Sequence, residues 1–223
     1  MLQYPLMKKP SPKKKPLFIA VEGGEGSGKS SLMIALKEAF GDRIFTTREP
    51  GGSPYAEVIR EATVKNPLAK GTPAETTLCL MFASRFDNTA RGIVPKLEEG
   101  MPVIADRFDA SSYAYQVCAQ TDGALEDAFW DLRKRLAVLP DLYVFVDVSP
   151  EEGIRRASRR NQSLLQGAKY DHFDDREIAF HKKVRDGYLK FLEKVPHEVI
   201  DADRPYEEVK ADFLSLMERE LKI

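Results

Sequence analysis

Gly23-Gly24-Glu25-Gly26-Ser27-Gly28-Lys29-Ser30 satisfies the pattern G-x-x-x-x-G-K-[ST], a spacing that builds a phosphate cradle. The glycines let the backbone wrap so that successive N–H groups point inward, and a helix starting at the end of the loop adds partial positive charge. Lys29 would then reach the β- and γ-phosphates of a nucleotide, and Ser30 would offer an oxygen to magnesium. Glu25 is the odd member, because a carboxylate inside a loop that holds anions must turn outward, toward a hydroxyl or a cation. That points to an acceptor molecule beside the nucleotide, against the alternative of a solvated glutamate without a role.

Thr47-Arg48-Glu49-Pro50-Gly51-Gly52 and Asp106-Arg107-Phe108 each follow a short apolar run. Loops at the C-terminal ends of strands are where an α/β sheet binds its ligands. Two arginines from separate strand ends can converge on one phosphate through their bidentate geometry, so Arg48 and Arg107 together indicate a phosphorylated acceptor. Asp106 ends its apolar run as a metal-side carboxylate would.

These residues need a scaffold, and the pattern of apolar runs provides one. Leu17 to Val21, Ile44 to Thr47, Met101 to Ala105, Leu142 to Val148 and Val199 to Asp201 are of strand length and apolar almost throughout. Stretches of helical period separate them: Lys29 to Phe40, Tyr55 to Thr63, Glu75 to about Glu99, Leu125 to Leu136, Pro150 to about Arg160, Asp175 to Lys194 and Tyr206 to Leu221. Ser149-Pro150-Glu151-Glu152 reads as an N-cap, a first-turn proline and a capping-box glutamate. Strands apolar throughout and alternating with helices predict an α/β fold, a parallel sheet of about five strands covered on both faces as three α/β/α layers.

The 223 residues carry a formal net charge of -1 and two cysteines, Cys79 and Cys118. Near-neutral charge argues against a nucleic-acid partner, and cysteines so far apart fit neither a disulfide framework nor a paired zinc site. No apolar run reaches the ~20 residues that cross a bilayer, and no secretory leader is recognisable, which predicts a cytoplasmic protein without a membrane partner. Residues 1–16 hold Lys8, Lys9, Lys13, Lys14 and Lys15, four prolines and no acid. They read as a disordered basic tail, with a transit peptide disfavoured because arginine and an amphipathic period are missing. Residues 17–223 read as one domain with a lid at about 151–178, whose loop spans Asn161 to Lys169.

With these residues in place, the chain resembles the thymidylate kinase family of P-loop nucleoside monophosphate kinases. The resemblance rests on FIAVEGGEGSGKSS at 18–31, TREPGG at 47–52, LMFASR at 80–85, DRFDASSYAYQ at 106–116, PDLYVFVDVSPEEGIRRA at 140–157, FHKKVRDGYL at 180–189 and VIDADRPYEEV at 199–209. It implies transfer of the γ-phosphoryl group of MgATP to dTMP, on the route to dTTP, by a homodimer. Gly23, Gly24, Glu25, Gly26, Ser27, Gly28, Lys29, Ser30 and Ser31 would bind ATP, with Ser30 and Asp106 on the metal. Glu25 would accept a hydrogen bond from the 3′-hydroxyl of dTMP. Arg48 and Arg107 would hold its phosphate, Arg85 would reach the thymine edge, and Ser112 and Gln116 would contact the base. Tyr115 would crowd the sugar against a 2′-hydroxyl. Met81 stands where family members carry a base-stacking aromatic, so Met81 or Phe82 forms the platform. Asp171-His172-Phe173-Asp174 departs from the family's lid exit. Gly26 lacks the P-loop arginine of one subclass, so the resemblance implies a catalytic lid arginine, with Arg160 and Arg156 preferred among Arg155, Arg156, Arg159 and Arg160. A kinase for another nucleoside monophosphate, or a P-loop module that binds nucleotide without transfer, remain the alternatives.

Overall fold

Five apolar runs pair into one parallel sheet: β1 (Phe18–Glu22), β2 (Phe45–Arg48), β3 (Val103–Asp106), β4 (Leu142–Asp147) and β5 (His197–Asp201). Their order across the sheet is β2-β3-β1-β4-β5. The computed structural model describes residues 15–164 and 175–222. Expectations for residues 1–14, for loop residues 165–169, for Asp171 to Asp174 and for the side chain of Arg160 lie outside the described residues.

The residues of β1 are fully buried, as a strand covered on both faces must be. Alternate side chains feed separate cores, following the two-residue period of a strand. Phe18 and Ala20 join Phe82, Phe108, Phe129, Tyr188 and Phe191 on one face. Ile19 and Val21 join Leu32, Leu36, Phe213 and Met217 on the other. The second layer is made by α1 (Lys29–Phe40) and α9 (Tyr206–Leu221). The first is made by α3 (Ala74–Asn88), α5 (Asp109–Ser112), α6 (Glu126–Arg133) and α8 (Asp175–Leu192). Full burial of a Phe or Leu side chain contributes roughly 1.5–3 kcal/mol, so both faces hold the sheet.

The bounds expected for α1 and α9 match those observed. The helix expected from 75 to about 99 is instead α3, a π-helical stretch over Thr89–Ile93 and α4 (Val94–Glu98). α2 (Pro54–Arg60) likewise passes into π-helix over Glu61–Lys65. α7 (Pro150–Leu164) starts at the expected proline, but its capping box is drawn elsewhere. The Ser149 hydroxyl donates to Asp203 at 3.0 Å, and Glu152 accepts from Arg155 and Arg156, both at 2.6 Å.

An element the sequence reading missed positions the site. α5 runs directly into a π-helical segment, Tyr113–Ala119, the kind of extra-residue turn common at functional sites. It packs closely on α8 through Gly187, where a Cβ would lie 2.8 Å from Cys118 Cβ and 2.9 Å from Ala114 Cα. The two cysteines are free thiols, Cys79 exposed and Cys118 half-buried. Among the described residues, no helix is long and apolar enough to cross a membrane.

Candidate active site

The register sets Val21 beside Asp106 and Asp106 beside Arg48, so the charged ends of β1, β2 and β3 emerge along one edge. The loop after β1 enters α1 through Gly26 and Gly28, whose φ values are 67° and 86°. No side chain caps the first turn of α1, which leaves its amide donors facing the loop. Lys29 is buried and folds back on that loop, donating to Gly23 O at 2.8 Å, Gly24 O at 3.2 Å and Ser27 Oγ at 3.2 Å. Burial, reinforced by the Arg107 charge, lowers the Lys29 ammonium to about 7 against the pull of Asp106, Glu22 and Glu25. Ser30 and Ser31 are exposed.

Beside Gly26, Ser27 and Gly28 opens a cleft of about 670 Å³, walled by Arg155 and Arg156 of α7 and by Ala202 to Tyr206. Arg156 also donates to Ala202 O at 2.9 Å, and Arg159 is exposed. The cleft floor is tight where α7 meets the loop. A Cβ on Gly26 would lie 2.0 Å from Gly153 O, and one on Gly153 would lie 2.4 Å from Glu25 O.

Across the loop lies a second cavity of about 280 Å³, lined by Glu25, Glu49, Met81, Arg85, Arg107, Ser112, Tyr115 and Gln116 among others. Arg107 adopts a left-handed backbone, φ 69°, so its side chain turns back toward β1. Its Nη1 donates to Gly23 O at 3.1 Å, Ser111 Oγ at 3.0 Å and Tyr188 Oη at 2.9 Å. Burial works against its charge, but Tyr188, Tyr115, Glu22 and Asp106 prevail and hold its pKa above the ordinary arginine value. Glu22 supports this corner from beneath, accepting from Phe108 N at 2.7 Å and Ser111 Oγ at 2.6 Å. Burial raises its pKa, opposed by the Ser111 hydroxyl and the Arg107 charge.

Arg85 is 2 % exposed and pairs with Glu49, Nε to Oε2 at 2.7 Å. Its Nη2 donates to Phe108 O at 2.9 Å and Ser112 Oγ at 3.1 Å, and its Nη1 is buried without a partner among the described residues. Burial pushes Glu49 up to about 7, against the counter-pull of Arg85 and Asn88.

Two expectations about the acceptor pocket are corrected. Met81 lines it, whereas Phe82 is fully buried beneath Arg85, its ring 4.7 Å from the guanidinium carbon and 5.6 Å from the Phe129 ring. Neighbouring residues of a helix point about 100° apart, so one platform cannot use both. Arg48 does not converge with Arg107. It is 55 % exposed, pairs with Glu57 at 3.0 Å and borders a separate cavity of about 360 Å³ with Asp106. The physical reason is side-chain direction: the left-handed backbone at Arg107 turns its guanidinium to Gly23 O beyond β1, while Arg48 turns to Glu57.

Glu22, Glu49, Ser111 and Tyr188 belong to the site but were not singled out from sequence. The available signal was Glu22, a charge closing an otherwise apolar strand, and Glu49, which lies inside TREPGG.

The thymidylate kinase family model matches residues 21–213. The thymidylate kinase of Chlamydia caviae is 37% identical over 199 residues, 86% of this chain and 92% of its relative. That of Leuconostoc mesenteroides is 35% identical over 218 residues, 93% of this chain and 98% of its own. The crystal structure of thymidylate kinase from Ehrlichia chaffeensis superposes with a TM-score of 0.67 at 26% identity, covering 92% of this chain and 99% of that one. Because the family match runs from the end of β1 into α9 and so takes in both cavities, the chain belongs to the thymidylate kinase family.

Proposed function

We propose that the chain transfers the γ-phosphoryl group of ATP to a phosphate oxygen of dTMP, giving dTDP and ADP. The carrying observation is that a donor-sized cleft and an acceptor pocket meet across one loop, with Lys29 and Arg107 both anchored on Gly23 O between them. In this reading the amides of residues 23–31 and Lys29 bind the ATP phosphates, and Arg107 neutralises the acceptor phosphate. Glu25 receives the sugar hydroxyl, Met81, Ser112 and Gln116 surround the base, and Tyr115 bounds the sugar. A phosphomonoester has its second pKa near ~6, so the attacking oxygen is already ionised at neutral pH and no general base is needed. The protein's contribution is alignment and charge neutralisation between two anions.

Asp106 and Ser30 fit magnesium. The Oδ1 of Asp106 is buried without a partner among the described residues, and hard divalent cations take oxygen donors. When bound, the ion supplies charge neutralisation at the phosphate oxygens. Arg156, on the wall of the donor cleft, and Arg160 are the candidates for a lid arginine. The reading also carries a homodimer, for which the exposed Tyr55 and Val58 of α2 offer an apolar face, and sedimentation separates it from a monomer. A cytoplasmic location goes with the same reading.

A coupled assay with ATP and each nucleoside monophosphate tests the activity. Preferential turnover of dTMP is expected; preference for UMP or dGMP, or no turnover of any acceptor, rejects it.

The buried Lys29 gives a second test. With its pKa lowered to about 7 in the free protein, it must regain a proton when ATP phosphates arrive. ATP binding at pH 8 should therefore take up close to one proton, and affinity should fall as pH rises above 7. Calorimetry in buffers of different ionisation enthalpy reads the uptake, and identical heats at pH 8 contradict it.

A further inference from the structure

We infer that Glu49 is a positioning residue for acceptor selection: by holding one edge of the Arg85 guanidinium it aims Nη1 at the acceptor base, so that a base presenting a carbonyl there is chosen over one presenting an amino group. The inference rests on the acceptor pocket holding a pyrimidine nucleotide, as proposed above.

Glu49 leaves the end of β2 with its amide still paired to Asp106 O at 2.9 Å, so its backbone is fixed to the sheet. Its side chain is buried at 4 % exposure, and Asn88 Nδ2 donates to its second oxygen at 3.3 Å. The carboxylate is thereby clamped before it meets Arg85. The guanidinium is in turn restrained at two of its nitrogens and by two neighbouring rings. Nε is held by Glu49, Nη2 by Phe108 O and Ser112 Oγ, and the rings of Phe82 and Phe108 lie 4.7 and 5.1 Å from its central carbon.

One nitrogen is left. Nη1 is buried and unpartnered, on a side chain that lines the acceptor pocket. A guanidinium only donates, so a ligand that satisfies Nη1 must bring an acceptor. An exocyclic carbonyl does so, whereas an amino group sets donor against donor and leaves both desolvated. The discrimination depends on the guanidinium being unable to turn away, and the clamped Glu49 carboxyl, bonded to Nε, provides that restraint. A buried ion pair serving only the core would hold the fold without selecting a base.

The test compares kcat and KM for dTMP and dCMP in the wild type, Glu49→Gln and Glu49→Asp, with KM for ATP as the internal reference. Glu49→Gln is expected to raise KM for dTMP and to narrow the dTMP-over-dCMP ratio of kcat/KM, each by roughly tenfold, leaving KM for ATP within about twofold. Glu49→Asp, which keeps the carboxyl group, should recover part of the ratio. An unchanged ratio in Glu49→Gln, or equal losses on both acceptors, overturns the inference. Should Glu49→Gln fail to fold, an unchanged ratio in Glu49→Asp overturns it equally, because the shorter side chain withdraws the carboxylate. A wild type that does not prefer dTMP would instead overturn the functional reading beneath it.

Discussion

Arg107→Ala should lose about 10³-fold or more in dTMP-dependent kcat/KM while ATP binding stays within a few-fold of the wild type. The guanidinium sits at the entrance from the loop to the acceptor pocket, held by Gly23 O, Ser111 and Tyr188. On the proposed reading Lys29 and the loop amides hold the ATP phosphates, and Arg107 is the cation that offsets the second anion. Lysine should not substitute, because an ammonium on a flexible stem cannot reproduce the planar fork. Turnover with saturating ATP, together with a separate calorimetric measurement of ATP binding, reads the split. Near-normal turnover in Arg107→Ala removes its assigned role, and loss of ATP binding in parallel would mean that the substitution unfolds the loop.

Gly26→Arg should abolish most activity rather than supply a phosphoryl-directed arginine from the loop, with ATP affinity falling at least about tenfold. The left-handed backbone at φ 67° disfavours any side chain, at roughly 1–2 kcal/mol for a non-glycine residue. The larger obstacle is contact, since a Cβ there lies 2.0 Å from the Gly153 carbonyl oxygen. That neighbour is backbone in the first turn of α7 and cannot rotate aside. Either the loop or the start of α7 must shift, and both line the donor cleft. Gly153→Ala should damage the same junction from the other side, because its Cβ would lie 2.4 Å from Glu25 O. Nucleotide titration and turnover of Gly26→Arg decide the matter, and a rate above wild type would contradict this account.

What could be read from the chain in advance was what local order encodes. A strand buried on both faces must be apolar at every position, so β1 and β4 announced themselves. The glycine loop and α1 are adjacent in sequence and needed no tertiary knowledge. The helix over residues 109–119 did not show, because a π-helical stretch shifts the phase of the apolar side chains and breaks the 3.6-residue period by which helices are found. Arg48 was expected beside Arg107 because both follow strands, and their strands are indeed neighbours, but the left-handed backbone at Arg107 turns its side chain to Gly23 O while Arg48 pairs with Glu57, and neither direction is written in the local sequence. Glu22 and Glu49 were passed over for a related reason. A buried carboxylate is recognised by what closes over it, and Ser111, Phe108, Arg85 and Asn88 all come from distant parts of the chain.

Gly23 is a residue without a side chain, yet its carbonyl oxygen accepts from Lys29, Arg107 and Tyr188. The two cations that the proposed reading assigns to donor and acceptor are therefore tethered to a common origin. Tyr188 extends the same origin to α8. The gap across which a phosphoryl group would pass is thus gauged from one atom, and a displacement of the β1 terminus would cost the two sites together rather than one at a time.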